Sequence, residues 1–170
     1  MLHLLFAAIM AMTTLSTAQA ADGGPILKRV PIVVSDMEKS LRLYRDILHL
    51  SIESDNMMKP DPHDERVFNV PPGGLRRSVK FNLSPDQIRA IGLFEVKGYK
   101  GVDANAVHDH GIVLRVTHID EIFAQAKAAE LRIIDFVDLT TNTGDKGREL
   151  SLLDPDGHLV LVYQINSTSK

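Results

Sequence analysis

Side chains able to do chemistry are few in this 170-residue chain, and none is a cysteine. Disulfide staples, thiolate nucleophiles, Cys-ligated zinc and iron–sulfur clusters are therefore excluded. Any chemistry falls to His, carboxylates, Arg and backbone groups. The densest local cluster is His108-Asp109-His110, whose imidazoles are the donors a divalent ion takes. His63 lies between Asp61 and Asp64, but all three share one Pro-rich stretch and read as loop residues. Arg66, Arg76 and Arg77 could touch an anion; taken singly they read as solvated cations. Gly73-Gly74 lacks the strand-before, helix-after context of a phosphate loop. No Ser/His/acid triad is legible from spacing, because triads assemble in space rather than along the chain.

Composition narrows the partners. Nineteen Lys+Arg against 22 Asp+Glu leave a formal charge of -3, so no basic excess exists to neutralise a phosphate backbone. Trp is absent and only 5% of residues are aromatic, which argues against a base-stacking platform. With 44% apolar and 24% charged residues, the chain reads as an ordinary globular domain.

Residues 2–15 contain no Asp, Glu, Lys or Arg and run into Ser16-Thr17-Ala18-Gln19-Ala20. A short apolar stretch ending in small residues at A-x-A spacing reads as a signal peptide over 1–20, cut after Ala20. Export to the periplasm or outside the cell is the expectation. The run is short for a membrane span, and no basic stop-transfer cluster follows, so no stable membrane anchor is expected.

The elements that must position any site are organised by an internal repeat. Residues 29–50 and 111–132 align at a constant offset of 82. Val30, Ile32 and Val34 match Ile112, Leu114 and Val116, the period-two face of a strand. Met37, Leu41 and Tyr44 match Ile119, Phe123 and Ala126 at the i, i+4, i+7 spacing of an amphipathic helix. Ser35 or Asp36 can cap the first helix, and Thr117 the second, with Asp120 as an acidic partner. Strand-type sequence then follows each copy: 50–54, 78–84 and 90–97 after the first, 132–138, 148–153 and 158–165 after the second. Turn chemistry separates them, including Pro71-Pro72-Gly73-Gly74 and Asp154-Pro155-Asp156-Gly157. Residues 57–77 read as one long irregular loop, a length usual for a lid or binding loop. The fold expected is α+β: two βαβββ modules in tandem, about 26–98 and 106–165. Their paired curved mixed sheets would surround a shared cleft, with the helices outside.

Arg29-Val30-Pro31-Ile32-Val33-Val34-Ser35-Asp36, the helix around Tyr44-Arg45-Asp46-Ile47-Leu48, and the closing Leu153-Asp154-Pro155-Asp156-Gly157-His158 together resemble the vicinal oxygen chelate superfamily. That superfamily includes glyoxalases, bleomycin-resistance proteins, fosfomycin-resistance enzymes and extradiol dioxygenases, and the resemblance covers residues 26–165. In metal-using members four ligands, His or Gln, Glu, His and Glu, point into the cleft. The resemblance places these four positions at Arg29, Glu95, Gly111 and Leu161. A guanidinium does not ligate a cation, and Gly and Leu offer no donor, so no metal cofactor is expected. A metal, if held, would use Glu95 with His110, the latter rotated inward by a bulge.

Strand alternation puts Arg29, Val33, Glu95, Val113, Arg115, Leu159, Leu161 and Tyr163 on the cleft side. Arg29 and Glu95 would then pair on its floor, as buried charges must. Asp36, Asp154 and Asp156 read as turn and cap residues, His158 as structural, and Tyr44 as core packing. The leading expectation is an exported domain that binds a small molecule, anionic or amide-bearing, through Arg29, Glu95, Arg115, Leu161 and Tyr163, without the usual metal site. The second is a metal-dependent lyase, isomerase or dioxygenase with Glu95 as its catalytic ligand or base. The third is an interaction domain whose cleft is filled by Leu159, Leu161 and Tyr163 against Val33 and Val113. A homodimer is compatible with each, the modules sharing a cleft within one chain or swapping between two.

Overall fold

The computed structural model describes residues 26–168. The expected signal peptide, residues 1–20, lies outside the described residues. Among the described residues, no helix is long and apolar enough to cross a membrane.

The first module contains β1 (Val30–Val34), α1 (Met37–Leu41), β2 (Ser51–Met57), α2 (Pro62–Val67), β3 (Leu75–Asn82) and β4 (Ile91–Val96). The second contains β5 (Gly111–Arg115), α3 (Ile119–Ala128), β6 (Ile133–Thr140), β7 (Lys146–Leu153) and β8 (Leu159–Ser167). Each builds a four-stranded mixed sheet of the same topology, β1-β4-β3-β2 and β5-β8-β7-β6. In both, the strand before the helix pairs in parallel with the last strand, and the remaining pairs are antiparallel. This is the tandem βαβββ architecture the repeat requires.

The helices form where the periodicity places them. Asp36 caps α1, its Oδ1 accepting from the Lys39 N–H at 3.1 Å. The helix continues past Leu41 in a wider π-helical turn, Arg42–Ile47, in which the Leu48 N–H donates to the Leu43 carbonyl. Met37, Leu41 and Tyr44 are buried, as are Ile119, Ile122 and Ala126 of α3. These stripes join Ile32, Val34, Leu93, Val160 and Val162 in one core that runs beneath the helices of both modules. Thr117 does not cap α3: the capping position falls on His118, which makes no capping bond with its side chain. Gln164 of β8 supplies the acceptor instead, its Oε1 taking the Ile119 N–H at 3.0 Å.

The 57–77 stretch is not one irregular loop. Asp61 caps α2, its Oδ1 accepting from the His63 N–H at 2.7 Å, and Pro62 takes the first helical position, where its missing N–H costs nothing. The Asp61-His63-Asp64 trio is thus a helix start. From α2 and the turn after it, Phe68 and Val70 fold back onto Leu75, Phe94, Val96 and Val33 in a second, smaller apolar cluster. Glu65, buried in this lid, accepts the Gly73 N–H at 2.6 Å. Nor is Arg77 a free cation. It forks onto Asp55 with two bonds of 2.7 and 2.6 Å and reaches Glu38 at 2.6 Å, tying β3 to β2 and α1.

A candidate binding site between the modules

The strand register decides which face each expected site residue occupies. Val30, Ile32 and Val34 pair with Ile91, Leu93 and Glu95 in turn. Ile32, Val34 and Leu93 belong to the helix-side core, so Glu95 shares their face, not the cleft. Its Oε1 accepts the Met37 N–H at 3.2 Å, at the first turn of α1. This is the first-module counterpart of Gln164 on the α3 N-terminus. Placing Glu95 on the cleft side is therefore corrected, and so is the Arg29–Glu95 pair: the two lie on opposite faces of the sheet. Arg29 instead donates its Nε–H to the Arg89 carbonyl at 3.1 Å. Its stem crosses Gly92, where an added Cβ would meet Arg29 Cδ at 2.9 Å.

The cap assignment carries a prediction. Glu95→Gln retains the acceptor that the second module uses at Gln164, so stability is expected to stay within about 0.5 kcal/mol of wild type. Glu95→Ala leaves the Met37 N–H without its partner and is expected to cost about 1 kcal/mol. Urea unfolding of the two variants checks this; equal losses would remove the capping role.

Arg29 borders a cavity of ≈ 360 Å³ with Lys80, Ser78 and Phe94, whereas Arg115 borders a different one, of ≈ 540 Å³, with His49 and His118. The five expected ligand-binding residues are thus not gathered at one point. Leu161 and Tyr163 share the second sheet's outer face with Val113, itself 63% exposed. The expected filling of the cleft by these residues is not seen. It is the first module's face that is covered, and by the Phe68–Val70 lid.

What the structure does bring together lies between the two modules. A cavity of ≈ 580 Å³ separates β1 from β5 and reaches Phe68, Tyr99, His110 and His158. His158 follows the tight turn after β7, whose Gly157 has a φ of 91° and so needs glycine. Asp154, fully buried, is the centre of that turn. Its Oδ1 accepts the Asp156 and His158 N–H groups at 2.9 and 2.8 Å, and its Oδ2 accepts the Tyr44 hydroxyl at 3.0 Å. His158 Nδ1 lies 3.0 Å from the same Oδ2 and must be the donor, since a carboxylate only accepts. Asp156 crosses to the first module and accepts the Ser35 N–H at 3.0 Å. The turn is therefore a clasp between modules, not a local connector.

Electrostatics follow from this geometry. Burial pulls the His158 imidazole towards its neutral form, but the hydrogen bond and charge of Asp154, with Asp156 behind it, outweigh burial and hold its pKa above the ordinary value. Burial, then the Asp154 charge, push the Tyr44 phenol well above its usual range, so it stays a hydroxyl donor. The sequence offered a weak sign of this pair in the i, i+4 spacing of Asp154 and His158. It offered none for Tyr99, whose hydroxyl lies 3.4 Å from His158 Nε2.

The residues at the four metal-ligand positions do not fit a divalent ion. Arg29 is a cation, Gly111 and Leu161 lack donors, and the Glu95 carboxylate is engaged on the helix side of the sheet. His110 sits apart, its Nδ1 2.6 Å from Asp109 on an exposed loop. Among the described residues no group of three or more His, Asp or Glu side chains is placed to hold a metal.

Solved structures share the architecture. A glyoxalase/dioxygenase from Nostoc punctiforme is similar at 17% identity and a TM-score of 0.56, covering 96% of this chain and 100% of that one. A glyoxalase family protein from Bacillus cereus gives 15%, 0.61, and coverages of 86% and 99%. A genomically encoded fosfomycin resistance protein from Listeria monocytogenes gives 14%, 0.53, and coverages of 82% and 93%. At these identities the likeness is one of fold. No curated protein matches the chain. The family model for the Glyoxalase/Bleomycin resistance protein/Dioxygenase superfamily matches residues 26–162, and the chain belongs to that superfamily.

Proposed function

We propose that this chain is an exported member of the superfamily that holds a small molecule between its modules without the metal centre other members use. The observation that carries the reading is the orientation of Glu95. Of the four ligand positions it alone bears a donor suited to a cation, and that donor caps α1. The ≈ 580 Å³ cavity between β1 and β5 is within the range of small-molecule sites and mostly apolar in its walls. Export is supported by the uncharged run and A-x-A spacing of residues 1–20.

The test is a thermal-shift series on untagged protein with Mn, Ni, Zn and Fe(II), paired with metal analysis by mass spectrometry. A specific site filled at 100 times its Kd would add about 2.7 kcal/mol of stability, a shift of several degrees. No shift and no stoichiometric metal are expected. A stoichiometric ion lost in Glu95→Ala would sink the proposal and return the chain to the metal-dependent enzymes.

A further inference from the structure

We infer that the cavity between β1 and β5 takes a molecule with an apolar body and a single anionic head, and that His158 Nε2 and the Tyr99 hydroxyl hold the head. The inference rests on the binding function proposed above and names the ligand class for it. Its walls come from Val33, Phe68, Val70, Val96 and Leu159, all apolar. Its polar groups are Asn69, Lys97, Tyr99, His110 and His158, and no carboxylate lines it. The nearest carboxylates, Asp154 and Asp109, lie behind His158 and His110 and are bonded to their Nδ1 atoms, so the groups turned to the cavity are mainly donors, which favours an anion over a cation.

The placement of the head follows from the hydrogen bonds. Nδ1 of His158 is committed to Asp154, so the ring presents Nε2 to the cavity. Its protein neighbour there, the Tyr99 hydroxyl, lies 3.4 Å away, too long for a strong bond. The two rings are near parallel, 15° apart, with centroids 6.3 Å from each other. Three further hydrogen bonds onto Asp154 fix the carboxylate that orients the imidazole. As the imidazolium that the Asp154 hydrogen bond and charge favour, the ring gives its Nδ1–H to Asp154 and turns Nε2–H towards the cavity beside the Tyr99 phenol, which makes this end of the cavity an anion receptor. Lys97, an exposed lining residue, adds a positive charge.

The experiment compares two fluorescent probes with one aromatic body: 8-anilinonaphthalene-1-sulfonate, which carries the anionic group, and N-phenyl-1-naphthylamine, which lacks it. With the full chain, the sulfonate is expected to bind at least about ten-fold more tightly. That preference should fall to within about three-fold in His158→Gln, narrow in Tyr99→Phe and Lys97→Gln, and persist in Arg29→Gln. Near-ultraviolet circular dichroism tests that each variant is folded. If His158→Gln is not, Tyr99→Phe and Lys97→Gln decide. Equal affinity for the two probes would overturn the anionic head while leaving the binding function standing. Preference lost in Arg29→Gln but kept in His158→Gln would also overturn it, by moving the anion to the face of the first sheet. Failure of both probes to bind would overturn the inference and the binding function together.

Discussion

Asp154→Ala is expected to cost about 3–5 kcal/mol, enough to unfold a marginal domain near body temperature. The carboxylate has no solvent exposure and accepts from four groups: two backbone N–H, the Tyr44 hydroxyl and the His158 ring. Truncation strands all four, and stranded buried donors cost more than a hydrogen bond is worth on average. It also loosens the turn that sends Asp156 onto Ser35, so the modules lose their clasp as well as a polar network. Asp154→Asn is expected to lose less. The amide oxygen retains the backbone N–H groups, while its NH2 can donate to the phenol oxygen and to a neutral imidazole. Denaturant melts of the two variants check the order; Asp154→Asn as damaging as Asp154→Ala would mean that charge, not hydrogen bonding, holds the clasp.

The same pair makes stability pH-dependent in a direction that can be worked out. His158 has a folded-state pKa above its unfolded value of about 6.5. Between those two values the folded chain holds a proton that the unfolded chain has released. Its contribution is thus fully present below about pH 6.5 and is lost as pH rises through the folded value. The melting temperature of wild type should fall across that window relative to His158→Gln, which lacks the titrating ring. A difference between the two that stays flat from pH 6 to 9 would contradict the ion pair.

How far the sequence led depends on which residues bury both faces of a strand. In β1, Val30, Ile32 and Val34 alternate with the exposed Pro31, and the face was legible. In β4, Ile91 through Phe94 and Val96 are all buried, because helices cover one side and the lid the other. A strand covered twice has no apolar–polar alternation to mark its faces, so the ligand position of the resemblance sets Glu95 towards the cleft. The parity of Ile91, Leu93 and Glu95 held the correct answer. Helix α2 is not legible in the pattern because six residues carry too little periodicity, though Asp61-Pro62 is a good start signal. The Tyr99–His158 pair joins residues 59 apart and depends on how the modules dock, which local pattern does not encode.

Phe94→Ala is expected to be far more costly than Tyr163→Ala, although the repeat makes the two positions equivalent. Each precedes the residue that caps its module's helix, Glu95 in one sheet and Gln164 in the other. What separates them is the connection before the third strand of each module. The first module spends residues 58–74 on it and folds Phe68 over Phe94, ring centroids 4.7 Å apart. The second uses only Thr141–Asp145 and leaves Tyr163 partly open to solvent. The lid is held at both ends by backbone, Met58 N–H to the Arg76 carbonyl and Lys97 N–H to that of Gly74, each near 2.9 Å or shorter. Between those ends, Phe94 is the largest buried side chain of the cluster beneath it. Truncating it should cost about 3–5 kcal/mol, against about 1 kcal/mol or less at Tyr163, and should expose residues 58–74 to limited proteolysis. Equal losses would mean that the lid adds nothing to stability. The expected asymmetry bears on function too. The lid that covers Phe94 also supplies Phe68 and Val70 to one wall of the cavity between β1 and β5, the site proposed for the ligand, with His158 at its far end.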